Sequence, residues 1–116
     1  MGSESRKHSR IRINRKVIIV LSSGETVPVR ACDISEGGIG VVCPYNCDIG
    51  RSFDIYFDLL GNKKSIIKAK VVVRFINLIG SVDEYRIGFE FKQLYGNGQE
   101  ILEQYLQRRG SQPNWV

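Results

Sequence analysis

A chain of 116 residues suits one domain, and 42% hydrophobic with 25% charged residues is an ordinary globular composition. No apolar run nears the roughly 20 residues of a membrane span, and no apolar stretch follows the start as in a secretory signal. Membrane insertion and export are therefore not expected, and a cytoplasmic setting is. The net charge of +5 is concentrated in residues 1–16, where Arg6, Lys7, Arg10, Arg12, Arg15 and Lys16 face Glu4 alone. The other hundred residues balance, eleven basic against eleven acidic. An arm of this sign calls for an anionic partner.

Residues 1–14 are polar, basic and poor in large apolar groups, and read as a flexible arm ahead of the packed domain at 15–110. "VIIVL" (17–21) is β-branched and apolar, a strand, and "SSGE" (22–25) turns the chain. "TVPVRACDI" (26–34) alternates Val27, Val29 and Ala31 against Thr26, Pro28 and Arg30. Pro28 lacks an N–H, so an edge or a bulge is expected there. "IGVVC" (39–43) is a third strand. "SFDIYFDLL" (52–60) has the cleanest period of two, with Phe53, Ile55, Phe57 and Leu59 on one side.

"GNKK" (61–64) is a hairpin-type connection. In "SIIKAKVVVRFINL" (65–78) the pattern sets Ala69, Val71, Val73 and Phe75 inward against Lys68, Lys70, Val72 and Arg74. "YRIGFEF" (85–91) sets Tyr85, Ile87, Phe89 and Phe91 against Arg86, Gly88 and Glu90. A helix follows. Asn97 is a good N-cap with Glu100 three residues on, and Ile101, Leu102, Tyr105 and Leu106 form one apolar stripe. Arg108 and Arg109 suit its C-terminal end, Gly110 ends it, and residues 111–116 are a tail. About six strands at hairpin spacing and one closing helix predict an all-β fold, a small antiparallel barrel capped by the helix.

Enzyme signatures are missing: no G-x-S-x-G elbow, no H-E-x-x-H and no Walker loop, so no catalysis is expected. Cys32, Cys43 and Cys47 are odd in number without an export signal, which points to reduced thiols. Cys43-x-x-x-Cys47 lacks zinc-knuckle spacing and His8 is distant, so no metal site and no cofactor is expected.

Two constellations carry chemistry. Arg6-x-x-x-Arg10 sets two guanidinium groups roughly 13 Å apart if extended and closer if coiled. Guanidinium binds phosphate bidentately and stacks on a purine. In "DISEGGIG" (33–40), Asp33 can accept from a guanine edge and Ser35 can donate or accept. Gly37 and Gly38 permit positive φ and a close approach to the backbone. The same stretch also reads as a plain turn between strands.

R-x-x-x-R before the first strand, then D-x-S-x-x-G about twenty residues on, resembles the PilZ domain family over nearly the whole chain. "SRKHSRIRINRKVIIV" resembles the family's arm and first strand, and "AKVVVRF" and "YRIGFEF" its later strand pair. The resemblance implies a six-stranded antiparallel PilZ-type β-barrel with a C-terminal α-helix, and a bacterial cyclic di-GMP receptor. It implies that Arg6 and Arg10 contact phosphate and guanine, that Asp33 and Ser35 hydrogen-bond a guanine, and that Gly38 gives room. Lys7, Gly37 and Arg74 are further candidates. Many members carry another Arg where this chain has Ser5, and that Arg goes with a stacked ligand pair, so Ser5 points to one ligand per chain, while compensation by Lys7 or Arg12 would allow two. With no output domain visible, signalling to an effector protein in trans is expected. Two readings stay beside this one: a PilZ-like protein-interaction module that binds no nucleotide, and a small basic nucleic-acid-binding barrel. The latter needs outward aromatics, and Tyr56 is the clear case.

Overall fold

Six strands and one helix make up residues 10–110, the part of the chain that this computed structural model describes. They are β1 (Ile11–Val20), β2 (Thr26–Ile34), β3 (Gly38–Cys43), β4 (Ser52–Asp58), β5 (Ile66–Ile79), β6 (Glu84–Leu94) and α1 (Gly98–Gly110). A 3-10 turn at Lys63–Ser65 precedes β5. The strands close into an antiparallel barrel in the order β1-β2-β3-β6-β5-β4, with β4 pairing back onto β1. Closure gives every strand a neighbour on both sides.

One face of each strand fills the barrel. Val17, Ala31, Ile39, Val41, Ile55, Ile67, Val71, Val73 and Ile87 are buried in a single cluster. A barrel of this size has an interior filled by side chains, with no channel. Helix α1 lays Leu102, which is wholly buried, and Tyr105 onto this core, with Ile101 and Leu106 packed beside them. It runs against β5 and β1. This is the expected stripe, and the alternations of β4 and β6 are likewise as expected.

Two places differ from the sequence expectation, and Pro28 meets it. The first strand begins at Ile11, not Val17, so residues 11–14 of the expected arm belong to the sheet. Ile11 and Ile13 pack against the core while Arg12 and Asn14 face solvent, and this period of two continues the strand past its apolar centre. Pro28 lies in the part of β2 that pairs with β1 alone, because pairing with β3 starts at Arg30↔Val42. The missing donor thus costs no ladder bond.

The second difference concerns Phe75. A bulge in β5 places one extra residue, Arg74, between the pairs Val73↔Phe89 and Phe75↔Gly88. A bulge reverses the alternation beyond it. Phe75 therefore leaves the inward set and Ile76 joins the core instead. The Phe75 ring lies on the outer face over Gly88, whose flanking residues Ile87 and Phe89 are buried inward.

Candidate functional site

A second bulge builds the site. On β2 the pairs Ala31↔Val41 and Asp33↔Gly40 leave Cys32 as the extra residue. Ala31 points into the barrel and Ile34 does too, both wholly buried. Without the bulge, Asp33 would share the inward face of Val29 and Ala31 and would put a charge in the core. With it, Asp33 turns to the outer face, where its carboxylate fills the space that a side chain on Gly40 would take. A Cβ on Gly40 would stand 2.7 Å from Asp33 Oδ1.

Asp33 is 5% exposed and is held from two sides. Arg10 Nη1 donates to Oδ1 at 2.8 Å, and Arg86 Nη2 donates to Oδ2. Arg10 is the last residue of the R-x-x-x-R motif and stands 23 positions away in sequence; Arg86 stands 53 away. Two guanidinium groups beside one carboxylate offset its desolvation. Both arginines keep over a third of their side chains exposed, so each has donors left for a further anion.

Ser35 is 4% exposed and serves its own turn. Its N–H donates to Gly38 O at 2.9 Å, and its Oγ accepts from Gly37 N at 3.3 Å. Gly37 O accepts from Phe91 N at 2.9 Å, which ties the turn to β6. Neither Gly37 nor Gly38 has a positive φ. Gly38 is small for another reason, since a Cβ there would meet Phe89 O at 2.2 Å. Arg74 pairs with Glu90 at 2.5 Å on the outer surface, an exposed bridge worth about 0–1 kcal/mol. Arg6 and Lys7 lie outside the described residues.

A pocket of ≈ 390 Å³ opens beside Asp33 and is lined by Arg12, Arg30, Cys32, Asp33 and Arg86, with Ile13 and Asn14. Three arginines against one aspartate leave its lining at +2. The sheet register extends this charge. Lys16 on β1 stands opposite Arg30, Arg30 opposite Val42, and Val42 opposite Arg86, one row across four strands. Like charges directly opposite are destabilising, and neither Lys16 nor Arg30 has a salt bridge among the described residues. The row is therefore a place where an anion would relieve repulsion. Arg109 braces Arg12 on the pocket wall: it lies over the Tyr105 ring, bonds Tyr105 Oη at 2.6 Å and donates to Arg12 O at 3.4 Å.

The sequence expectation missed Arg30, Arg86 and Gly40, and named Arg12 only as a group able to compensate for Ser5. The alternation of "YRIGFEF" does put Arg86 outward. Its meeting with Asp33 depends on β3–β6 pairing, for which no local signal exists.

A model of the PilZ domain family matches residues 4–108. The chain belongs to the PilZ domain family. Among solved structures, the Bacillus subtilis inhibitor of motility MotI/DgrA is similar at 25% identity with a TM-score of 0.76, over 90% of this chain and 51% of that one. A K. pneumonia MrkH–c-di-GMP complex is similar at 19% identity and TM-score 0.76, over 90% and 52%. The PilZ domain of YcgR from Escherichia coli with c-di-GMP is similar at 18% and 0.67, over 90% and 93%. The chain thus spans about half the length of MotI and MrkH and nearly all of the YcgR domain. No curated protein matches. In this PilZ domain Arg10, Asp33, Ser35 and Gly38 stand at one end of β2 and β3, with Arg10 bonded to Asp33.

The thiols of this PilZ domain are held protonated. Burial pushes the Cys32 thiol up from its ordinary 9.0, and the Asp33 charge adds to this while Arg86 opposes it. Burial likewise raises Cys43 and Cys47. A raised pKa stabilises the fold fully below the unfolded value, so this contribution is lost as pH rises through and past 9.0. We expect melting temperatures insensitive to these groups at pH 6–8 and falling above about pH 9, by scanning calorimetry with Cys32→Ser as control. An unchanged alkaline slope in the variant would remove Cys32 from the account. Among the described residues no group of three or more His, Cys, Asp or Glu could hold a metal, and no helix is long and apolar enough to cross a membrane.

Proposed function

We propose that this PilZ domain is a receptor, rather than an enzyme, for cyclic di-GMP. The observation that carries the reading is the Arg10–Asp33–Arg86 cluster at the edge of a pocket of net positive lining. The ligand has two phosphates and two guanines. Arg10, with Arg6 of the arm, takes phosphate and stacks on guanine. Asp33 and Ser35 meet a guanine edge, and a carboxylate with about four lone-pair sites retains capacity beside its two arginines. Gly38 keeps the turn close to β6, and Lys7, Gly37 and Arg74 are further candidates for ligand contact. Ser5 favours one ligand per chain.

Binding transfers Arg10 from Asp33 alone to a ligand shared with it, and the arm becomes ordered over the barrel. Ordering has an entropy cost that charge-assisted contacts must exceed. The covered surface then differs in charge and shape, and a downstream effector protein reads the difference. The solved likenesses that carry c-di-GMP support the reading at the level of fold.

Calorimetric comparison of the wild type with Arg10→Ala tests the arm's part. Truncating one partner of a charge pair at a binding site costs about 2 kcal/mol or more, so affinity should fall at least about 30-fold. Equal affinity would take Arg10 out of the site.

A further inference from the structure

The two ends of the barrel are finished differently. At one end α1 lays Leu102 on the core, and Arg109 near its close bonds the backbone of Arg12 at the start of β1. At the other end, where β1 stops and β2 begins, a pocket of ≈ 380 Å³ opens into the barrel mouth. Its floor is the inward face formed by Ile19, Ile87 and Phe89, and Leu21, Val27 and Phe53 form its walls. It shares no lining residue with the pocket beside Asp33. Val27 and Asp33 are six positions apart on β2, roughly 20 Å along the strand. Val27 packs against the core, whereas Asp33 faces outward.

The loop between β3 and β4 sets one charge at the lip of this apolar space. Arg51 Cζ lies 5.5 Å from the centroid of the Phe53 ring, and Phe53 meets Phe89 edge-on at 6.2 Å. A guanidinium thus stands over the first of two rings that lead inward. Gly50 N donates to Val73 O at 2.8 Å and Val73 N to Arg51 O at 2.9 Å, which fixes the backbone that carries it. Arg51 forms no salt bridge among the described residues. Asp48, the nearest acid in the loop, is exposed and does not line the pocket. Cys43 and Cys47 complete the lining; burial raises both thiols, so at neutral pH they are uncharged and act as small apolar groups. An apolar pocket in the mouth of a barrel with one convergent polar group has the make-up of a ligand site. Its volume is near the small end of the about 300–1,000 Å³ usual for such sites, which suits a short chain and not a long lipid.

We propose that the barrel mouth binds a medium-chain carboxylate, about eight carbons long, with its chain on Ile19, Val27, Phe53 and Phe89 and its carboxylate on Arg51. This goes beyond the receptor reading and does not depend on it, because the two sites share no residue and lie on opposite faces of the barrel wall.

The test is a titration of the chain with sodium octanoate, followed by amide NMR spectra. Saturable shifts are expected at Leu21, Val27, Phe53 and Phe89. Each buried methylene tightens binding about fourfold, so hexanoate should bind about fifteenfold more weakly. Octan-1-ol, which lacks the charge, should bind the wild type about tenfold more weakly than octanoate, and the two should bind Arg51→Gln alike. Arg51 is exposed, so this variant keeps the fold. Val27→Phe fills the mouth and should weaken octanoate at least about tenfold. No saturation by octanoate up to about five millimolar overturns the inference. So does an Arg51→Gln variant that still prefers the carboxylate, or shifts confined to Asp33, Gly40 and Arg86. A dimer in sedimentation that octanoate leaves intact and Val27→Phe breaks would give the mouth to a second copy of the chain, and overturns it as well.

Discussion

Replacing Asp33 by Ala should abolish measurable ligand affinity, a loss of at least about 30-fold, while the barrel survives. Both arginines bond to the Asp33 carboxylate. Removing it takes away the proposed guanine-edge acceptor and frees Arg10 and Arg86 from their common anchor. Both arginines are partly exposed, at 37% and 45% of their side chains, so water can solvate them once the carboxylate is gone. The stability loss is therefore small for a buried charged position, about 1–2 kcal/mol, arising mainly from the vacated space over Gly40. Asp33→Asn refines the test. It keeps the shape over Gly40 and one acceptor, so it should melt near the wild type yet bind at least about tenfold more weakly. A variant Asp33→Ala that binds as the wild type does would show that the turn is only a corner of the barrel.

The largest effect on stability belongs to Gly38→Ala. The added Cβ would sit 2.2 Å from Phe89 O, 3.2 Å from Phe89 C and 3.4 Å from Glu90 Cα. All three are backbone atoms of β6, paired with β3 at Gly38↔Glu90 and Ile39↔Phe89. No rotamer relieves the clash, so the strands must separate at the first pair of their ladder. Overpacking of this kind costs about 1–3 kcal/mol, which lowers the melting temperature by roughly 5–15 °C for a domain near this size. The turn is anchored in the same place, through Ser35 N to Gly38 O and Phe91 N to Gly37 O. Ligand affinity should fall with stability. Gly80→Ala is the matched control, because its Cβ would meet open space, and it should shift stability by less than about 0.5 kcal/mol. Equal melting of the two variants would mean that β3 and β6 give way at no cost. The glycine of the D-x-S-x-x-G motif is thus fixed by strand packing as well as by any ligand.

Much of the barrel is written locally. Phe53, Ile55, Phe57 and Leu59 alternate without a break, β4 has no bulge with either neighbour, and its inward face is as the period predicts. The helix is equally plain, because a stripe of Leu102 and Tyr105 needs no partner to be recognised. Errors arise where one residue is inserted into a ladder. Arg74 is an ordinary strand residue in composition, and nothing near it tells that Phe75 will face outward. Cys32 acts likewise: the two-residue spacing of Ala31 and Asp33 implies one face, and the bulge gives them opposite ones. The motif residues Arg10, Asp33, Ser35 and Gly38 were legible because they come in two short local patterns. Arg86 was not, since its place beside Asp33 follows from a register between strands that are distant in sequence. The charge picture changed for the same reason. Of the basic stretch at residues 1–16, Arg12, Arg15 and Lys16 lie in β1, which lines up Lys16 with Arg30 and Arg86.

The central claim is that the Arg10–Asp33–Arg86 cluster and its pocket receive a cyclic dinucleotide of guanine. Isothermal titration of cyclic di-GMP into the wild-type chain, with GMP as a competitor, measures this most directly. The account predicts saturable binding with one ligand per chain, weakened by added salt because arginines carry the phosphate contacts. No heat and no saturation at ligand concentrations up to a millimolar, about −4 kcal/mol, would contradict it.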